Sequence, residues 1–102
     1  MPGAWIKVGT VKQLPHGSRK RIVHGRLEIA VFNVGGTYYA VKNICPHEGV
    51  PLHDGTLEGN VLSCRAHGWK FELPTGQCPG GITPCVSTFK VEIRSEEVWV
   101  EV

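Results

Sequence analysis

Two short runs of cysteine and histidine constrain this chain more than any other feature. They are Cys45-Pro46-His47 and Cys64-Arg65-Ala66-His67, with sixteen residues between them. Each run supplies one thiolate and one imidazole, so two loops could close over one metal centre from opposite sides. A cluster of two irons and two sulfides accepts this set asymmetrically, with both cysteines on one iron and both histidines on the other. Zinc also accepts two thiolates and two imidazoles, in a tetrahedron.

The spacing within each run discriminates between these two centres. Zinc fingers usually pair Cys with Cys and His with His, at separations of about two to five residues. A single residue between Cys45 and His47 is unusual in such a finger, and glycines follow both histidines, at Gly49 and Gly68. The pattern therefore favours the iron–sulfur cluster. A zinc-stabilised interaction module is the alternative from a different functional class.

The residues around the two runs resemble the Rieske [2Fe–2S] family. The stretch from Cys64 to Phe71 includes Gly68-Trp69 and continues into Thr75-Gly76, as in Rieske ferredoxins. The resemblance covers nearly the whole chain. It implies a [2Fe–2S] cluster with Cys45 and Cys64 on one iron and His47 and His67 on the other. It also implies a cluster-binding subdomain of two loops on an antiparallel β scaffold, with a proline-containing loop over the cluster, here residues 79–84.

Strand signals recur at short intervals along the rest of the chain. The apolar run Leu27–Val34 is followed by the two-residue turn signal Gly35-Gly36 and a returning strand. Only residues 11–14 suggest a single helical turn. The fold class is therefore predicted to be all-β, a Rieske-like antiparallel sandwich or barrel. One domain is expected over residues 1–102, with the ligand loops within about residues 45–68. Further strands are predicted at 5–8, 61–63, 69–73, 89–94 and 98–102, the last two as a closing hairpin.

Charge and hydropathy exclude several classes of function. The net charge of +2 is too small to argue for nucleic acid. No stretch approaches the ~20 apolar residues of a membrane helix, and no signal peptide is apparent at the start. A cytoplasmic protein without membrane contact is therefore expected. The basic run Arg19-Lys20-Arg21 is interpreted as a solvated strand face, with a docking patch for an acidic partner as the alternative.

Departures from the high-potential members of the family bear on the reduction potential. Val50 and Ala66 stand where membrane-bound Rieske proteins carry a disulfide-linked pair of cysteines. Trp69 and Phe71 stand where high-potential members have Ser and Tyr, whose hydroxyls donate hydrogen bonds to sulfur. Fewer such bonds leave the reduced cluster less stabilised, so the expected potential is near the lower end of the Rieske range, about −150 mV.

The remaining cysteines and histidines are assigned smaller roles. Cys78 and Cys85 are interpreted as ordinary thiols, with a disulfide across the presumed proline loop as the alternative. His53 is interpreted as a surface side chain rather than a hydrogen-bond donor behind the ligands. Arg65 lies between two ligands and is expected to point outward, where it could contact a partner.

The resemblance implies an electron carrier and not an enzyme. No nucleophile–base pair has a recognisable setting, and the ligand set leaves no open position on iron. The expected partners of this monomer are an NAD(P)H-dependent flavoprotein reductase and a terminal oxygenase, either a ring-hydroxylating dioxygenase or a diiron monooxygenase. A small subunit of an assimilatory nitrite reductase is the alternative. Partners are expected to dock around His47 and His67, through Glu48, Arg65 and Trp69, and not through the basic run at Arg19.

Overall fold

A computed structural model of the chain describes residues 4–44, 49, 51–65, 70–77 and 86–102. Within these residues the chain forms ten β-strands and no helix, which confirms the predicted all-β class. The strands form three antiparallel sheets: sheet A in the order β1-β10-β9, sheet B in the order β2-β3-β4-β8, and sheet C in the order β5-β6-β7. Their bounds are β1 Trp5–Thr10, β2 Arg19–His24, β3 Leu27–Val34, β4 Thr37–Lys42, β5 Thr56–Glu58, β6 Val61–Ser63, β7 Lys70–Glu72, β8 Thr88–Phe89, β9 Val91–Arg94 and β10 Glu97–Glu101. The described part of the chain contains no helix of the length and apolarity required to cross a bilayer.

Sheet B is the middle layer, because its central strands are buried on both faces. Successive side chains of a strand point to opposite faces. Ile29 and Val31 of β3 accordingly pack towards sheet A, whereas Ala30 and Phe32 pack towards sheet C. Burial on both faces explains why residues 27–34 form a continuous apolar run instead of an alternating one. The apolar layer between sheets B and C comprises Ala30, Phe32, Val41, Leu52, Leu62, Cys64, Phe71, Leu73 and Val86.

The closing hairpin is confirmed, but its first strand is shorter than predicted. Ser95 and Glu96 have φ of 50° and 62°, as a tight two-residue connection requires. The predicted strand 89–94 is divided at Lys90: β8 pairs with β4 in sheet B, and β9 pairs with β10 in sheet A. Ile93 is 53% exposed, because β9 is an edge strand of sheet A. The alternation of apolar and polar residues in β9 therefore does not bury Ile93.

The strand β5 was not predicted, β2 was expected only as a solvated basic strand face, and one predicted helical turn does not become a helix. The strand β2 is rich in basic residues, yet it pairs with β3 along its whole length. The strand β5 has only three residues and pairs with β6. In residues 11–14 the N–H of Leu14 donates to the carbonyl of Val11 at 3.3 Å, and the chain then turns towards β2 without a further helical turn.

Sheet C contains the strand that leads into the second ligand run. The strand β6 ends at Ser63, one residue before Cys64, and β7 begins at Lys70. The sheet extends to Glu72 and so passes residue 68, the limit expected for the loop insertion. Because sheets B and C share one apolar layer, the middle sheet directly supports the subdomain that follows the first ligand run.

Candidate iron–sulfur site

Cys64 is the one predicted ligand that falls within the described residues. Its side chain is 1% exposed and lies in the apolar layer between sheets B and C, in one cluster with Leu62 and Phe71. Phe71 is fully buried and has no hydroxyl to donate to sulfur, and the low potential expected for this reason stays a prediction. Cys45, His47 and His67 lie outside the described residues, as do Trp69, Cys78, Cys85 and residues 79–84.

The donor set has the chemistry that a [2Fe–2S] cluster needs. A thiolate in an apolar layer is costly unless a cation compensates its charge, and the burial of Cys64 therefore fits a metal-bound thiolate. Among the described residues alone, no three side chains of His, Cys, Asp or Glu come together as a metal site. Three of the four proposed ligands are not among those residues, so this result does not count against the cluster.

Asn43 connects the chain segments that precede and follow the first ligand run. It is 4% exposed and stands two residues before Cys45. Its Oδ1 accepts hydrogen bonds from the backbone N–H groups of Leu52 and His53, both at 2.8 Å. Leu52 and His53 belong to residues 51–55, which we call the closing segment. The amide of Asn43 thus joins the chain before the first ligand run to the chain after it.

The Nδ2 group of Asn43 determines which ring nitrogen of neutral His53 carries the proton. Because Oδ1 of Asn43 is engaged by two N–H donors, Nδ2 is the atom that lies 2.9 Å from His53 Nδ1. Nδ2 can only donate, so Nδ1 accepts, and a neutral His53 ring carries its proton on Nε2. His53 is half-buried and bonded to Asn43. Its interpretation as a simple surface side chain is therefore wrong.

Arg19 holds the closing segment from the other side. Its Nη1 donates to the carbonyl of His53 at 3.2 Å and to the carbonyl of Gly55. Its guanidinium carbon also lies 5.6 Å from the centroid of the Phe32 ring. Arg19 is the β-sheet partner of Phe32, so both side chains lie on the face of sheet B that is turned towards sheet C.

Lys20, the next residue, lies on the opposite face. It is paired with Val31, and its Nζ donates to the carbonyl of Val8 in sheet A at 2.7 Å. The basic run Arg19-Lys20-Arg21 therefore makes contacts within the fold. Lys20 and Arg21 are exposed, so the solvated-face interpretation holds for these two, whereas Arg19 is half-buried. The docking patch stays a prediction, and alternation along β2 is the signal that could have shown the contacts of Arg19.

An ion pair between Arg21 and Glu28 lies on the face of sheet B that is turned towards sheet C, the face that also carries Arg19. Arg21 Nε donates to Glu28 Oε1 at 2.8 Å, and Asn43 Nδ2 lies 3.4 Å from the same oxygen. The hydrogen bond from Arg21 is the largest effect that holds the pKa of Glu28 below its ordinary value, with partial desolvation opposing it. The same bond raises the pKa of Arg21. Glu28 therefore remains an ionised acceptor beside Asn43.

The closing segment also contacts the approach to the second ligand run. A Cβ added at Gly55 would overlap the carbonyl oxygen of Ser63 and lie 3.0 Å from Leu62 Cδ1. Gly55 is therefore required by this close approach, whereas Gly49 has a φ of 70°, a backbone conformation that favours glycine. Arg65 points outward as predicted, and its Nε lies 3.3 Å from Asp54 Oδ2 in an exposed ion pair.

The fold and the donor residues are those expected of a small β-protein that binds a metal cluster. A family model of the Rieske [2Fe-2S] domain matches residues 4–92. The chain belongs to this family, and its cofactor is a Rieske-type [2Fe–2S] cluster, as predicted. The zinc-stabilised module is thereby set aside.

Similar sequences include proteins named as ferredoxins. Ferredoxin CarAc from Metapseudomonas resinovorans is 35% identical over 100 residues, which cover 94% of this chain and 92% of that protein. The ferredoxin component of the biphenyl 2,3-dioxygenase from Rhodococcus jostii is 33% identical, with 96% and 92% covered. These relatives match over nearly their whole length.

Solved structures agree with the fold. A chain in the complex of reduced oxygenase and oxidized ferredoxin of carbazole 1,9a-dioxygenase has a TM-score of 0.86 at 34% identity, covering 95% of this chain and 92% of that one. An NADH-dependent nitrite reductase small subunit from Mycobacterium tuberculosis has a TM-score of 0.88 at 18% identity, covering 98% and 96%. At that identity the second likeness concerns the fold alone.

Proposed function

We propose that this chain carries single electrons from an NAD(P)H-dependent flavoprotein reductase to the terminal oxygenase of a ring-hydroxylating dioxygenase system. The observation that carries the proposal is the match over more than nine-tenths of both chains with the ferredoxin component of a biphenyl 2,3-dioxygenase. When bound, the cluster accepts and releases one electron. Because the ligand set leaves no open position on iron, the protein transfers electrons and does not itself transform a substrate.

Two other terminal acceptors are compatible with the sequence, a diiron monooxygenase and a nitrite reductase. The dioxygenase is favoured because relatives at 33–34% identity carry dioxygenase-related names, whereas the nitrite reductase subunit shares the fold at 18% identity. The test is reconstitution with a flavoprotein reductase, NADH and each of the three acceptors. We expect hydroxylated product only with the ring-hydroxylating oxygenase, and turnover with nitrite reductase alone would overturn the proposal.

We also propose the ligand assignment: Cys45 and Cys64 bind one iron, and His47 and His67 bind the other. The burial of Cys64 and the two-thiolate, two-imidazole set support it. Cys45→Ser and Cys64→Ser should lose the cluster or assemble it poorly, because a serine oxygen is a harder ligand than a thiolate.

Cys78→Ser and Cys85→Ser are the matched controls, because they make the same substitution at the two remaining cysteines. We expect both to keep two irons and two sulfides per chain and the low-average-g EPR signal of the dithionite-reduced state. Loss of that signal on replacing Cys78 or Cys85 alone would contradict the assignment.

The partner-facing surface is proposed to surround the two ligand runs in a monomeric, cytoplasmic protein of one domain. Arg65 is exposed beside Cys64, and its charge is available to set the encounter rate. Arg65→Gln should change the rate of reduction by the reductase a few-fold, on the order expected for one rim charge, at unchanged potential.

Lys12→Gln is the control for this test, since Lys12 is exposed in the turn after β1. Arg19 is unsuitable as a control because it bonds the closing segment. If Lys12→Gln slows reduction and Arg65→Gln does not, the docking surface lies on another face.

A further inference from the structure

Two asparagines are the polar side chains buried within the described part of the chain, and they hold different loops. Asn33, 5% exposed, donates through Nδ2 to the carbonyl of Leu14 at 2.7 Å and accepts from the N–H of Gly36 at 2.8 Å. These contacts connect sheet B to the turn before β2 and to its own hairpin. Asn43 makes the corresponding contacts with the closing segment.

We propose that Asn43 is a positioning residue for the cluster: by bonding the closing segment it sets the conformation of the first ligand loop, and Arg19 assists it. The proposal rests on the assignment of Cys45 and His47 as ligands. Strand β4 ends at Lys42, and the Asn43 amide joins the residue after that strand to Leu52, which follows the first ligand run.

The Asn43 amide makes hydrogen bonds through both its oxygen and its nitrogen. Oδ1 serves two backbone donors at once, and Nδ2 is directed at His53 and Glu28. Without the amide, the buried N–H of Leu52 and the N–H of His53 lose their acceptor. A buried donor without a partner is costly, so the closing segment would shift to find another one. A shift there moves the end of the first ligand loop.

The consequence reaches the second ligand run through Gly55. This residue packs against Ser63 and Leu62, immediately before Cys64. Arg19 bonds the carbonyls of His53 and Gly55 from the sheet B side. One five-residue segment is thus in contact with the chain before Cys45 and with the chain before Cys64, and its position affects the distance between the two thiolate-bearing runs.

The first test compares Asn43→Ala with Asn33→Ala, because both remove a buried amide that makes loop contacts. Asn43→Ala should alter the g-values of the reduced cluster, shift its midpoint potential and accelerate loss of the cluster to a chelator about tenfold, the order expected for unpaired buried donors. Asn33→Ala should lower the unfolding temperature and leave spectrum and potential unchanged. Equal spectra and equal rates of cluster loss in the two variants would refute a positioning role.

The second test decides the matter if Asn43→Ala does not fold. Arg19 and Lys20 are neighbours on β2, and each donates to a backbone carbonyl, but only Arg19 bonds the closing segment. Arg19→Gln should change the EPR g-values relative to the parent protein, in the same direction as Asn43→Ala where that variant folds. It should also accelerate cluster loss a few-fold. Lys20→Gln should do neither. Identical behaviour of this pair would overturn the proposal.

A double variant tests the hydrogen-bond pattern itself. Asn43→Asp combined with Glu28→Gln keeps the oxygen that accepts from the N–H groups of Leu52 and His53 and moves the negative charge from position 28 to 43. The second carboxylate oxygen replaces Nδ2, so the His53 ring then carries its proton on Nδ1 and donates to it. We expect it to retain the parental EPR spectrum and rate of cluster loss. Failure to do so while Asn43→Ala behaves as expected would mean that packing, and not hydrogen bonding, positions the loop, which would overturn the proposal as stated. These readouts do not involve an oxygenase, so they are independent of the proposed electron acceptor.

Discussion

Replacement of Leu62 by alanine should separate cluster loss from unfolding of the remaining sheets. Leu62 is fully buried in β6, between sheets B and C, in the same apolar layer as Cys64. The substitution leaves a cavity directly behind the second ligand run. Its neighbours include Phe71, the β-sheet partner of Leu62, which cannot relax without moving β7.

The magnitude follows from the completeness of burial. Leu→Ala substitutions at buried sites cost about 2–5 kcal/mol. Since Leu62 is 0% exposed, we expect a loss of about 3 kcal/mol, compared with a total stability of about 5–15 kcal/mol for a domain of this kind. At about 4–8 °C per kcal/mol, the unfolding temperature should fall by about 12–24 °C.

The assay follows visible absorbance of the cluster and far-UV circular dichroism in the same anaerobic urea titration. Leu14→Ala is the control, because Leu14 is similarly buried but lies in the layer between sheets A and B. Both variants should be destabilised. Only Leu62→Ala should lose absorbance at a lower urea concentration than it loses β structure. If the absorbance and circular dichroism transitions lie further apart in Leu14→Ala than in Leu62→Ala, the apolar layer between sheets B and C does not support the cluster more than the layer between sheets A and B.

Two further predictions concern the contacts of the closing segment. Gly55→Ala should destabilise cluster binding, because the added methyl overlaps the carbonyl of Ser63; incorporation of iron equal to that of the parent would contradict it. Glu28→Gln should reduce stability in a pH-dependent way. The pKa of Glu28 is lowered by Arg21, so its contribution is complete above the unfolded-state pKa of about 4.3 and is lost as pH falls through the folded-state value. The difference in unfolding temperature between the variant and the parent should therefore be largest near neutrality and shrink below about pH 4. A constant difference across that range would exclude this linkage.

Much of the fold could be predicted because local signals and tertiary demands agree. The strand β3 has the predicted bounds, since an apolar, β-branched run followed by Gly35-Gly36 favours a hairpin whether or not the sheet is covered on both sides. The strand β6 was also located, from three residues before Cys64. The two ligand runs were sufficient to predict the family and the cofactor, because few metal centres use one Cys and one His from each of two loops.

The rest could not be predicted because it depends on pairing. Alternation alone places Arg19 and Lys20 on opposite faces of a strand, but it does not show that Arg19 bonds the closing segment and Lys20 bonds sheet A, because these partners depend on how the strands pair. The division of residues 89–94 between two sheets likewise has no local signal. Asn43 is one polar residue beside a ligand run, and its role becomes visible only when the closing segment folds back onto it.

The contacts that join the two ligand runs differ in strength, and this difference indicates what the site requires. The ion pair between Arg65 and Asp54 is exposed, and such pairs contribute about 0–1 kcal/mol and weaken with salt. The contacts of Asn43 and Gly55 are buried and uncharged at their point of contact, so salt does not screen them. The buried contacts of Asn43 and Gly55 are thus less sensitive to ionic strength than the exposed Arg65–Asp54 pair, and the charge of Arg65 lies at the surface. A carrier needs both properties, because its cluster must keep one geometry while its surface associates with and leaves two different partners.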